Sequence, residues 1–176
     1  RIYDREKQRK IVAERKRVAA EKKRVADNTP TVKEEFYSDG TLKDRSIFQS
    51  KNDGGKRHGS REIYYRNGQL KEKLNYVNGE VHGASEDFYE DGLPQLIASW
   101  KNGEQDGLWT SYYENGEIEA EINFKNGERD GLNTSYYKNG EIAIKATYKN
   151  GVKDGLSTTY YENGEIASKA NYKNDV

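Results

Sequence analysis

A chain of 176 residues with 30 basic and 30 acidic side chains has no formal net charge, and only 32% of it is hydrophobic. That is too little for a conventional globular core, and a charged fraction of 34% taken alone would point to disorder. The absence of cysteine excludes disulfides and thiolate metal sites, and no apolar run approaches membrane-spanning length.

The charge is unevenly placed along the chain. Residues 1–26 hold 11 Lys/Arg against 4 Asp/Glu, a net of +7, so the remainder carries −7. In this segment Glu14-Arg15-Lys16-Arg17-Val18-Ala19-Ala20 is echoed by Glu21-Lys22-Lys23-Arg24-Val25-Ala26-Asp27. Good helix formers without a breaker predict a helix from about Asp4 to Ala26 inside a basic segment, residues 1–27. Ile11, Val18 and Val25 recur every seven residues, but Glu14 and Glu21 occupy the matching second seam, so a coiled coil is not expected. A solvated spacer is one reading. Docking of Arg15, Lys16, Arg17, Lys22, Lys23 and Arg24 on a membrane surface or an acidic partner is another. Nucleic acid is disfavoured, because no aromatic interleaves the basic cluster. Residues 28–31, with Pro30, read as a linker.

Beyond it a 24-residue period takes over. Asn67-Gly68, Asp91-Gly92, Asn115-Gly116, Asn139-Gly140 and Asn163-Gly164 keep that spacing, as do Gly79, Gly103, Gly127 and Gly151. Such a period marks a repeat protein. In one unit, Leu108 to Tyr113 has strand composition, Asn115-Gly116 is a hairpin turn signal, and Ile118, Ala120, Ile122 and Phe124 alternate with polar residues. Each unit is therefore expected to be one antiparallel β-hairpin. Six follow: 32–59, 60–83, 84–107, 108–131, 132–155 and 156–176. Phe48, Tyr76, Trp100, Phe124, Tyr148 and Tyr172 close their second strands, and Pro94 is expected to start one. Four extra residues within Gln49 to Gly54 lengthen a turn of the first unit. The fold expected is all-β, a single-layer antiparallel sheet of twelve strands preceded by an α-helix.

Tyr112-Tyr113-Glu114-Asn115-Gly116, with Phe124-Lys125-Asn126-Gly127 and Asp130-Gly131, resembles the MORN repeat. The resemblance is closer to its bacterial variant, found in proteins labelled YwqK-type antitoxins. It covers everything after Pro30 and implies a platform for protein or membrane contact, with an antitoxin or immunity-type neutraliser as one form.

The residues offer little for catalysis. His58 and His82 sit at equivalent turn positions of adjacent units, where later units carry Asp106, Asp130 and Asp154. Glu117, Glu119, Glu121, Glu141 and Glu165 recur with the period and read as a solvated strand face, whereas a catalytic pair should be singular. Asp53-Gly54-Gly55-Lys56 lacks the spacing of a phosphate loop. Asn133-Thr134-Ser135 fits a glycosylation acceptor but lies in an expected strand. No catalytic residue, metal ligand or cofactor site is assigned, and no enzyme is expected.

The doubled aromatic is the functional lead. In Tyr64-Tyr65, Phe88-Tyr89, Tyr112-Tyr113, Tyr136-Tyr137 and Tyr160-Tyr161, one residue of each pair must point to either face. A two-residue Asn115-Gly116 turn would pair Tyr113 with Ile118 and Trp109 with Ile122, leaving Tyr112 on the wetter face among Glu119 and Glu121; another register would swap the pair. The candidate partner-binding residues are Tyr64, Phe88, Tyr112, Tyr136 and Tyr160, with Trp109, Glu119 and Glu121. The expected partner is a protein, with a basic one favoured by the acidic repeats. A membrane surface reached through residues 1–27 is the alternative. A chain without methionine is expected to lack its start. An export signal or anchor upstream would place it in a bacterial periplasm or cell envelope, with the cytoplasm as the alternative.

Overall fold

The alternation of the repeats becomes one continuous sheet in the computed structural model, which describes residues 14–25, 29–49 and 54–173. Residues 14–25 form the helix α1. The rest of the expected helix, 4–13 and 26, and residues 50–53 of the long turn lie outside the described residues.

The hairpins follow the chain. They are β1 (Thr31–Phe36) with β2 (Leu42–Phe48), and β3 (Arg57–Tyr64) with β4 (Leu70–Val77). After the short β5 (Glu80–Val81) come β6 (Gly83–Phe88) and β7 (Pro94–Lys101). After β8 (Glu104–Gln105) come β9 (Gly107–Tyr112) and β10 (Ile118–Lys125). After β11 (Glu128–Arg129) come β12 (Gly131–Tyr136) and β13 (Ile142–Lys149), then β14 (Val152–Tyr160) and β15 (Ile166–Tyr172). The strand order is the chain order, with β5, β8 and β11 pairing off the main path against β4, β7 and β10. The twelve expected strands form that path, and three two-residue strands extend it. Pro94 does open β7, where its missing N–H removes least from the ladder.

Apart from the long turn between β2 and β3, two kinds of turn separate the described strands, and each suits its residues. Asn126 and Gly127 both have positive φ, 49° and 80°. That is the type I′ geometry, whose twist matches the flanking strands. Asn78-Gly79, Asn102-Gly103 and Asn150-Gly151 repeat it. The Asn115-Gly116 turn is different and corrects the expected two-residue loop. Only Gly116 has positive φ, 85°. Its amide donates to the Tyr113 carbonyl (2.9 Å), and the Tyr113 amide donates to Glu117 (2.8 Å). Three residues thus make a type I turn closed by a glycine bulge. A second irregularity follows between Ile118 and Ala120, so Tyr112, not Tyr113, pairs with Ile118, while Trp109 faces Ile122 as expected.

The bulge splits the apolar phase. Ile118 shares a face with Tyr112, while Ala120, Ile122 and Phe124 share the opposite, first face with Ser111, Trp109 and Gly107. Leu108, Thr110, Tyr112, Glu121 and Asn123 lie on the second face. With one layer, little is fully buried: Ala98 and Ala146 are 1% and 2% exposed, among buried Ser85, Ser111, Ser157, Thr110, Thr134 and Thr158. Small residues line the midline because strands on both sides already cover it.

Candidate functional site

The two aromatics of each pair divide their labour. The second of each pair reaches the next hairpin. The hydroxyls of Tyr37, Tyr65, Tyr89, Tyr113 and Tyr137 donate to the carbonyls of Tyr64, Phe88, Tyr112, Tyr136 and Tyr160 at 2.6–2.9 Å. The amides of Asn67, Asn115 and Asn139 donate to carbonyls of the following turns in the same way. The turn glycines Gly79, Gly103, Gly127 and Gly151 donate backward to Arg57, Val81, Gln105 and Arg129. Tyrosine hydroxyls thus staple each hairpin to the next at one end, and four glycine amides link successive turns at the other. Strand composition alone does not show these staples; the 24-residue spacing of the second tyrosine is the signal that could have.

The first aromatic of each pair forms the expected ladder on the second face. Phe88, Tyr112, Tyr136 and Tyr160 pair across the hairpin with Pro94, Ile118, Ile142 and Ile166, and Tyr64 with Leu70, which leaves these rings half-buried. Burial and then the neighbouring carboxylate raise the Tyr64 and Tyr136 hydroxyls above the ordinary tyrosine value. Tyr64 donates to Glu62 (2.9 Å) and Tyr136 to Glu121 (2.8 Å).

Two of the expected site residues are not on this face. Trp109 lies on the first face, three positions from Tyr112 along one strand. Glu119 is the extra residue of the bulge and is turned toward Ser111, whose hydroxyl donates to it at 3.0 Å. It lines a cleft with Tyr89, Tyr113 and Lys138. The structure therefore brings together Tyr64, Phe88, Tyr112, Tyr136, Tyr160 and Glu121, and separates Trp109 and Glu119 from them. Nor is the second face a uniform acidic stripe. The row containing Glu121 carries Lys73, Ile97, Lys145 and Lys169 at the equivalent positions.

A row the sequence reading passed over lies beside the ladder. Leu108, Leu132 and Leu156 are 45%, 50% and 53% exposed. Each stands two residues before a buried threonine and four before a ladder tyrosine, on the same face. Three consecutive hairpins thus present leucine, threonine and tyrosine in register, with rows ~9–10 Å apart.

The geometry of hairpin and glycine bulge repeats wherever the MORN repeat variant family matches. Those matches are residues 57–78, 105–126, 129–150 and 153–174, half of the chain. The chain belongs to the MORN repeat variant family. No curated protein matches it. The MORN hairpin at residues 83–101 falls outside the matched segments, yet Tyr89 and Gly92 make the same turn hydrogen bonds there.

The other singled-out residues have local roles. His82 accepts from the Asn102 amide (3.4 Å) and Asp106 from the Asn126 amide (3.4 Å), so this position caps the following type I′ turn. His58 lies 3.4 Å from Gln49. Among the described residues no group of three His, Cys, Asp or Glu side chains could hold a metal. On α1, Arg17 pairs with Glu14 and Arg24 with Glu21, each on the exposed surface. Arg15, Lys16, Lys22 and Lys23 make no ion pair with a described residue. No helix among the described residues is long and apolar enough to cross a membrane.

Proposed function

We propose that this MORN-variant chain is a non-catalytic scaffold that binds a protein partner through the second face of its sheet. The exposed leucine row beside the tyrosine ladder carries the reading. Three large apolar side chains held open on a rigid, stapled sheet are expensive to leave in water, roughly 1.5–3 kcal/mol each between full exposure and full burial. Tyrosine beside them supplies area at low entropic cost. The neighbouring row holds Glu121 among Lys73, Lys145 and Lys169, so apolar contact, not charge of one sign, is what this face offers a partner. Neutralisation of a toxin in a bacterial envelope is one form of such capture and rests on the family resemblance alone.

The exposed basic residues of α1 favour a second reading, attachment to an anionic membrane surface. One experiment separates the two. Leu108→Ser, Leu132→Ser and Leu156→Ser are combined, and the variant, the unaltered chain and residues 28–176 are compared in partner capture from the native organism and in flotation with anionic liposomes. The leucine variant is expected to lose its captured protein while its thermal unfolding changes little, because the replaced side chains are exposed. Undiminished capture by that variant rejects the surface. Flotation that requires residues 1–27 supports the membrane reading instead. Tyr112→Ala with Tyr136→Ala should also lose capture, but at a cost in stability, since both rings pack on isoleucines.

A further inference from the structure

The sheet has two outer strands, and its repeat makes their free edges complementary. β1 and β15 end the strand order. All six residues of β1 are exposed, and so is every residue of β15 except Tyr172. At each junction between hairpins, the second strand of one hairpin pairs antiparallel with the first strand of the next. β15 is a second strand and β1 is a first strand. The tail edge of one copy and the head edge of another can therefore meet as the inner strands do. Register fixes the equivalence: Phe36 opposes Leu42 across a bulge as Tyr136 opposes Ile142, and Glu34 opposes Arg45 as Thr134 opposes Lys145.

The bonds that cross the inner junctions stand half-made at these edges. Each stapling hydroxyl donates to a carbonyl in the first strand of the next hairpin. Tyr161 holds that place at the tail, has no following hairpin among the described residues, and is 58% exposed. The matching carbonyl at the head belongs to Phe36, which is 57% exposed. The side-chain amides of Asn75 and Asn123 donate across their junctions to the carbonyls of Ala84 and Leu132. Asn171 is their equivalent at the tail, and Val32 carries the matching acceptor at the head. Asn123 also turns its backbone amide to the next hairpin, so the equivalent amide of Asn171 points out of the sheet. Finally, the register sets Lys169 opposite Glu34, as Lys73 faces Glu86 at an inner junction. Glu34 already lies 3.6 Å from Arg45. A second cation beside it reproduces the row in which Glu62 stands between Arg45 and Lys73.

We propose that this chain associates with copies of itself head to tail, the β15 edge of one copy pairing antiparallel with the β1 edge of the next. Open edges are templates for strand addition, and here the tail offers donors where the head offers acceptors. The contact is heterologous, so every complex keeps one open head and one open tail and grows by further additions. Val32 then takes the place of a leucine, and the exposed row runs on from Leu156 into the next copy. The contact uses strand edges and not the second face, so it stands or falls independently of the protein-binding surface.

Sedimentation velocity of the full chain, from micromolar to millimolar concentration, tests this. The expected result is a reversible rise in mass that passes beyond two chains. Asn171→Pro removes an outward amide and should abolish the rise. Lys169→Glu and Glu34→Lys each set like charges opposite one another, and each should weaken association about fivefold. Mixed in equal amounts, these two variants should recover the growth of the unaltered chain, because every tail can then find a head of opposite charge. Both residues are exposed, so the mixture carries the comparison should Asn171→Pro fail to fold. The combined leucine-to-serine variant should associate like the unaltered chain. A monomer mass at every concentration, growth that stops at two chains, no recovery in the mixture, or association lost in the leucine variant overturns the proposal.

Discussion

The first two junctions between hairpins are built from charge, and the last two from hydroxyls and small side chains. Between β2 and β3, Asp44 and Arg61 form a half-buried ion pair, and Arg45 stands opposite Glu62. Between β4 and β6, Lys73 faces Glu86, but Glu72 faces Asp87. Between β10 and β12 the pairs are Ala120 with Ser135 and Glu121 with Thr134. Between β13 and β14 they are Ile144 with Thr159, Lys145 with Thr158 and Ala146 with Ser157. The backbone course is the same at both ends. The ladder and the tyrosine, asparagine and glycine staples therefore carry the architecture, and the side chains at a junction are free to vary in chemistry.

The largest effect should come from breaking the ionic junction. Arg61→Ala is expected to cost about 2 kcal/mol in urea unfolding, because it strands a carboxylate in a half-buried site. Burial pushes the Asp44 carboxyl up, but the bonds from Arg61 and Ser46 outweigh it and hold it below the usual carboxylate range. Its contribution is therefore present above the unfolded carboxylate pKa and lost as pH falls through the lower folded value. A change within ~0.3 kcal/mol at neutral pH would show that the pair is incidental.

A smaller effect tests the staples common to both ends. Tyr113→Phe removes the hydroxyl bonded to Tyr136 and should cost about 1 kcal/mol. Tyr161 holds the same place in its unit but is 58% exposed, so Tyr161→Phe should leave the unfolding midpoint where it was. No cost at Tyr113 would mean that the ring, not the hydroxyl, does the stapling.

The smallest expected effect is a gain. Burial and then the facing Glu72 carboxylate raise Asp87 above the usual aspartate value. A raised acid favours the folded state at low pH, and that advantage is lost as pH rises from the unfolded pKa to the folded one. Asp87→Asn should thus stabilise the chain by about 0.5 kcal/mol at pH 7 and by nothing in acid. A pH-independent change would place the effect elsewhere.

Much of the fold was legible because the period and the alternation are physical constraints read directly from residue order. Six hairpins, their order, Pro94 at a strand start and the Trp109–Ile122 pairing follow from them. The register at the Tyr-Tyr end did not follow. Asn-Gly serves both a two-residue type I′ turn and a three-residue turn closed by a glycine bulge, and only the cross-strand partners distinguish the two. Asn126-Gly127 takes the first form and Asn115-Gly116 the second. That one-residue difference put Tyr112 opposite Ile118 and carried Glu119 off the ladder's face. The ladder itself was legible, whereas the leucine row beside it was not. Strand composition does not state how much of Leu108, Leu132 and Leu156 stays open, because that depends on the neighbours that strand pairing brings.

Sequence by itself determined that this chain repeats and that each repeat is a hairpin. Those properties are local, set by turn chemistry and by strand alternation within a few residues. Tertiary structure alone decided which tyrosine staples and which is displayed, because a hydroxyl finds its acceptor 23 residues or more away across a junction. It also decided that Asn133 is buried and that its side-chain nitrogen finds no acceptor among the described residues. Whether a donor is satisfied depends on every neighbour that strand pairing brings to it, and residue order does not state those neighbours.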